Sequence, residues 1–213
     1  MKNLFILFAS AIFLFGCTKN NGNTTEAEPL SRIAFGSCCS QYLSDKKIFD
    51  RILELNPQLY IGGGDNIYGD FFALAPGTKE YMEGAYRQLG GDQSFRRLRA
   101  RVPMIATWDD HDTGENDGTT TNPVKAIAKD LFFKFWNIPE TDPRHNRPDG
   151  GIYGSYYYND DDRKVQIIML DLRYNHSAYK ASGAGAALSG YDTMLSPDAT
   201  ILGATQWAWL EEE

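Results

Sequence analysis

Two periods of apolar residues run along this chain. Residues 32–37, RIAFGS, alternate apolar and polar positions and lead into a Ser-Cys turn, the pattern of a strand. SDKKIFDRILEL follows with Ile48, Phe49, Ile52, Leu53 and Leu55 on one helical face. Ser44 is the expected N-cap, and Asn56-Pro57 the stop. QLYIGGGDNIYGD reads as a short buried strand running into three glycines and Asp65. TKEYMEGAYRQL and SFRRLRA read as helices split at Gly90-Gly91, and RVPMIATW as a third strand ending at Asp109. NPVKAIAKDLFFKFWN predicts a helix capped by Asn122, with Pro123 in its first position.

From Ile152 the period changes. GIYGSYYYNDDDRKVQIIMLDLRYN predicts an antiparallel hairpin with its turn at residues 159–163, followed by Asp171 and Arg173. SAYKASGAGAALSGYD reads as a long loop, and TQWAWLEEE as a C-terminal helix. Strands alternating with helices imply an α/β fold with a largely parallel sheet, then antiparallel strands. Asp65, Asp109/Asp110 and Asp171 all fall just past strand C-termini, the edge where such sheets gather ligands.

The first residues stand apart from this pattern. MKNLFILFASAIFLFGC carries Lys2 and an apolar run from Leu4 to Phe15. That run is shorter than the ~20 residues a bilayer span needs, and residues 1–16 read as a secretion signal. Leu14 and Gly16 before Cys17 resemble the bacterial lipoprotein cleavage box, although Phe15 is bulkier than its usual residue. By that resemblance Cys17 carries lipid and anchors the protein to the membrane. Thr18, in place of Asp, directs it to the outer membrane. Residues 17–31 form a polar tether, which leaves residues 32–213 as one domain.

Composition narrows the function. With a net charge of −7 over 213 residues, bulk electrostatics argue against a nucleic-acid backbone as partner. An acidic protein that handles phosphate requires metal ions to reverse the local sign. Besides Cys17 there are only Cys38 and Cys39, whose Cα atoms lie about 3.8 Å apart, under the ~4.4 Å a disulfide spans. They are two free thiols in a chain marked for export. In ATWDDHDTGEND, residues 106–117, five carboxylates surround His111. One like-charge pair a few ångströms apart costs on the order of 4 kcal/mol at an effective dielectric of about 20. A bound cation offsets that cost. Carboxylate, phenol, imidazole and thiol together suit iron or manganese beside calcium or magnesium.

FGSCCSQ, GGGDNIYGD, ATWDDHDTGEND, LDLRYN and LGATQWAWLEE together resemble the PhoD-like phosphatases of the metallophosphoesterase superfamily, in the family's order from residue 32 onward. The resemblance implies a four-layer α/β sandwich and an exported enzyme that hydrolyses phosphomonoesters or phosphodiesters with Fe(III) and Ca(II). It makes Cys38 the iron-binding thiolate, with Cys39 the alternative, and Asp65 the carboxylate bridging two metals. Tyr68 becomes the phenolate on iron and Asp110 a further metal ligand. His111 then contacts substrate phosphate or assists the leaving group, and Arg173 suits a phosphate oxygen. His145 and His176 have no motif around them and read as surface residues. The superfamily completes its centre with histidines from a later Gly-Asp-Val-His or Gly-His-x-His segment, and none is present. The chain therefore reads as the N-terminal portion of a longer enzyme, its C-terminal part missing, that binds metal weakly and is inactive. The rival reading is a non-catalytic, calcium-binding surface lipoprotein; a thiolate beside the acids argues against it.

Overall fold

The structure is a computed structural model. It describes residues 29–42, 45–70, 77–159, 164–181, 191–192 and 196–213. The signal segment, Cys17, most of the tether, the Ser44 cap and the acidic turn at 160–163 lie outside the described residues.

Three short strands form a parallel sheet in the order β1 (Ile33–Gly36), β2 (Leu59–Gly63), β3 (Met104–Thr107). Their register places Gly36 beside Gly62 and Gly63 beside Thr107. All three C-terminal ends therefore meet at one edge, as the positions of the acidic motifs imply. α1 (Ile48–Glu54) crosses from β1 to β2, and α2 (Lys79–Gly91) with α3 (Gln93–Arg99) from β2 to β3. After β3 come α4 (Lys125–Trp136), the antiparallel hairpin of β4 (Gly154–Asn159) and β5 (Lys164–Met169), and α5 (Ala204–Glu212). The long loop is flanked by a two-residue pairing of β6 (Lys180–Ala181) with β7 (Tyr191–Asp192).

Side-chain alternation on β2 builds two cores. Tyr60 faces the helices, among Phe49, Phe95, Trp108 and Phe132. Leu59 and Ile61 face the other way, against Ile105, Met169 and partly buried hairpin residues Tyr156 and Ile167. The order is helices, parallel sheet, hairpin. Each large apolar side chain so buried contributes about 1.5–3 kcal/mol, enough for packing to override local propensity. β1 is an edge strand and leaves Phe35 exposed.

Several boundaries differ from expectation. Ahead of α1, Asp45 Oδ1 accepts from Lys47 N at 2.9 Å. Gly90 and Gly91 stay inside α2; the break comes at Asp92, whose carboxylate accepts from Phe95 N and caps α3. Asn122 and Pro123 lie before α4. The Asn122 side chain accepts from Val124 N at 2.9 Å and donates to Thr113 O at 3.0 Å, tying the acidic loop to the helix start.

Candidate metal centre

The edge is built by pressing three strand-end loops together. After β2 the chain passes through Gly64 (φ 108°) and Asp65 (φ 48°). A Cβ on Gly64 would sit 2.7 Å from the Asp109 Cβ, so only glycine lets the loops after β2 and β3 approach this closely. Cys38 N and Cys39 N donate to Gly64 O and Asp65 O at 3.2 Å, bringing in the loop after β1. Cys38, Asp65 and Asp117 all adopt left-handed backbone here. Such strain costs on the order of 1 kcal/mol each and persists only where surroundings impose it.

Asp65, Asp110 and His111 converge: each offers a ligand atom within 4.8 Å of the others. Asp65 is buried, and its Oδ1 has no hydrogen-bond partner. Burial first, then the Asp110 charge, raises its carboxyl above the usual range, despite the opposing pull of His111. Cys38 is exposed but its thiol reaches the Asp65 carboxylate; a Ser37 hydrogen bond lowers its pKa, yet burial and the Asp65 charge leave it raised. Tyr68 also hydrogen-bonds Asp65, and burial ahead of that contact raises its phenol well above normal. Its ring stacks on His111 at 4.1 Å between centroids.

Arg173 reaches the same edge. Its Nε donates to Asp109 Oδ1 and its second guanidinium nitrogen lies 3.6 Å from Asp110 Oδ1. These carboxylates raise its pKa further, although burial opposes them. Cys38, Asp65, Tyr68, Asp110, His111 and Arg173 thus meet at one edge, with Arg173 engaged by Asp109.

Three further residues inside the quoted motifs, given no role from the sequence alone, hold the site. Asp70 Oδ1 lies 2.7 Å from His111 Nδ1. Burial lowers the imidazole pKa, but the Asp70 hydrogen bond and charge, with Asp110 and Asp65, outweigh it and raise it to about 9. Gln41 is buried and clamps the Tyr68 backbone on both sides, accepting from its N at 2.8 Å and donating to its O at 3.0 Å. Asp112, fully buried, accepts from Asn66 N, Ile67 N and Asp109 N at 3.0–3.2 Å. Burial pushes its carboxyl up to about 7 while those donors pull it down.

Two expectations are corrected. Asp171, the third acidic position past a strand end, turns inward: it accepts from Trp108 Nε1, Ile152 N, Arg173 N and Tyr174 N, at 2.8–2.9 Å. Gln206 of α5 closes the knot by bonding the Asp171 backbone at both N and O, at 2.8 Å. Trp108 is therefore a buried post between loops, stacked on Tyr174. His145 and His176 are half-buried packing residues, against Phe133 and Tyr179 respectively, not open-surface ones.

The PhoD-like phosphatase family model matches residues 33–213. Among solved structures, the chain is similar to one described as "Structure of PhoD", with a TM-score of 0.64 and 19% identity over 88% of this chain. It spans 40% of the length of that chain. The likeness establishes the α/β fold expected from the strand–helix alternation. No curated protein matches the chain.

Proposed function

Because the chain belongs to the PhoD-like phosphatase family, we propose that its sheet edge is the catalytic centre of an exported, metal-dependent phosphoric ester hydrolase. The observation that carries this reading is the Asp65 carboxylate: its buried Oδ1 has no hydrogen-bond partner, and it offers a ligand atom within 4.8 Å of those of Asp110 and His111. A buried carboxylate oxygen without a donor costs several kcal/mol, and a cation held by Asp65 and Asp110 removes that cost. The donor set fits. Two carboxylates suit a hard ion such as Ca(II), while the Cys38 thiol and Tyr68 phenol, both hydrogen-bonded to Asp65, suit Fe(III). A bound metal pair supplies Lewis acidity toward the phosphoryl oxygens and lowers the pKa of bound water.

The chain's own residues do the rest. Asp70 on Nδ1 fixes the His111 ring and leaves Nε2 free; as an imidazolium it donates a proton to the leaving-group oxygen. Stacking on Tyr68 holds the ring plane. Arg173 balances Asp109 and Asp110, and exchanges part of that pairing for a phosphate oxygen when substrate enters. Substrates are phosphomonoesters or phosphodiesters. Cys17 would carry the lipid that anchors the protein outside the cell.

The test is metal analysis of the full-length enzyme together with hydrolysis of a chromogenic aryl phosphate. Iron bound to Tyr68 gives a visible charge-transfer band that Tyr68→Phe bleaches or shifts while the fold persists. An iron-loaded protein whose spectrum is unchanged by Tyr68→Phe would refute the phenolate assignment. Calcium binding with no iron and no turnover would favour the calcium-binding lipoprotein instead.

A further inference from the structure

The opposite end of the molecule carries chemistry that the metal centre does not use. α2 begins at the acidic edge, where Gly77 N donates to Gly114 O. Its thirteen residues end about 20 Å away, at Gly90 and Gly91. There a cavity of about 540 Å³ is walled by Tyr86, Arg87, Gly91, Arg99, Leu131 and Phe135. A second, of about 720 Å³, adjoins it across Gly90 and Arg99 and is lined by Arg96, Arg97 and Arg101.

The charge here runs against that of the molecule. Across both linings Glu83 is the single acid, in a protein of net charge −7. Asp50 neutralises Arg97 at 2.7 Å. Among the described residues no carboxylate pairs with Arg87, Arg96, Arg99, Arg101 or Lys134. Arg99 is the informative one. It is half-buried, lies over the Phe135 ring at 4.8 Å from the centroid, and donates only to a backbone carbonyl, Phe135 O at 2.5 Å. Burial lowers its pKa with nothing to offset it. Cations in the last turn of a helix gain about 0.3–1 kcal/mol from the dipole, and Arg99, in the last turn of α3, gives one donor to an end carbonyl of α4. Its guanidinium has further N–H groups, and the residue lines both cavities beside Phe135.

We infer that this cleft is a second anion-binding site, for an organic phosphate with a flat apolar body. The body would lie against Tyr86, Leu131 and Phe135, and the phosphate would bridge Arg99, Arg96 and Arg101. Guanidinium forks match phosphate oxygens in pairs, and an apolar wall next to them selects a ligand with both parts. The missing side chains at Gly90 and Gly91 keep the cleft open; a Cβ on Gly91 meets nothing within 4 Å.

The experiment is calorimetric titration of the full chain, with chelator present, using phenylphosphonate and inorganic phosphate as probes. Phenylphosphonate should bind about fivefold more tightly than phosphate, because its ring buries apolar area. Arg101→Gln should weaken both probes about tenfold, the loss of one charge-assisted hydrogen bond. Arg99→Gln should do the same; Arg101 serves as the control should loss of the Phe135 contact perturb the fold. Gly91→Leu should exclude phenylphosphonate while sparing phosphate, and Arg173→Gln should change neither. The site is refuted if neither probe saturates, or if both bind equally and ignore Gly91→Leu, which means scattered surface charge. Dependence on Arg173 in place of Arg99 and Arg101 refutes it too, since the probes are then at the metal centre. No arm reads turnover, so failure here leaves the proposed hydrolase untouched.

Discussion

Asp65 and Asp112 sit on neighbouring loops at one sheet edge, both buried, yet their surroundings differ in kind. Asp112 receives three backbone N–H groups and the Asn66 amide, so its charge is compensated inside the protein and serves to staple two loops. Asp65 has a buried oxygen with no hydrogen-bond partner, and the ligand atoms within 4.8 Å of its carboxylate include another carboxylate. Burial of an acid is thus no sign of function by itself. What separates the two is the supply of donors: a satisfied carboxylate stabilises the fold, whereas an unsatisfied one is strained until a ligand arrives.

The largest effects should fall on turnover. In the full-length enzyme, His111→Ala is expected to lower it about 10²–10⁴-fold, the range for a positioned acid–base group, with metal content little changed. Asp65→Asn should abolish turnover and metal together. Metal analysis of both variants checks this, and metal lost in proportion to activity in His111→Ala would make His111 a ligand, extending the Asp65 environment by one residue.

Stability should then separate the two acids in the opposite sense. Asp112→Ala strands several buried donors at about 1 kcal/mol or more each. An expected loss of about 3 kcal/mol corresponds to a fall of roughly 10 °C in Tm. Asp65→Asn relieves the repulsion with Asp110, so the metal-free Tm should hold or rise while the increase on adding metal disappears. Thermal melts with and without chelator decide it. A large metal-free loss in Asp65→Asn would break the contrast.

The smallest effect comes from a carboxylate compensated at the surface. Hydrogen bonds from Arg97 and Ser94 lower Asp50 from 3.8 to about 2. A depressed folded-state pKa means that the contribution is present above pH 3.8 and is lost as pH falls toward 2. Arg97→Gln should flatten the stability-versus-pH curve in that window only, and salt should weaken the effect. A slope between pH 2 and 4 that survives the substitution would assign it to other groups.

Particular residues show how far the chain can be read unaided. Cys38, Asp65, Tyr68, Asp110 and His111 stand in short motifs at strand ends, and the parallel register necessarily brings those ends together. Strand and helix identities followed from periodicity; the cap positions did not, because Asn122 and Asp92 choose partners by local geometry that several neighbouring residues satisfy equally.

By itself, then, the sequence determined the α/β alternation, the acidic edge and the residues that crowd it, because each rests on spacing within about ten residues. Only tertiary structure decided which acids are free. Asp70 meets His111 across 41 positions, Gln41 meets Tyr68 across 27, and Asp171 meets Trp108 across 63. In one dimension Asp65, Asp112 and Asp171 are alike: an acid after an apolar run. They become different only when folding delivers N–H donors to two of them and none to one oxygen of the third, since hydrogen bonds depend on distances that sequence separation does not encode.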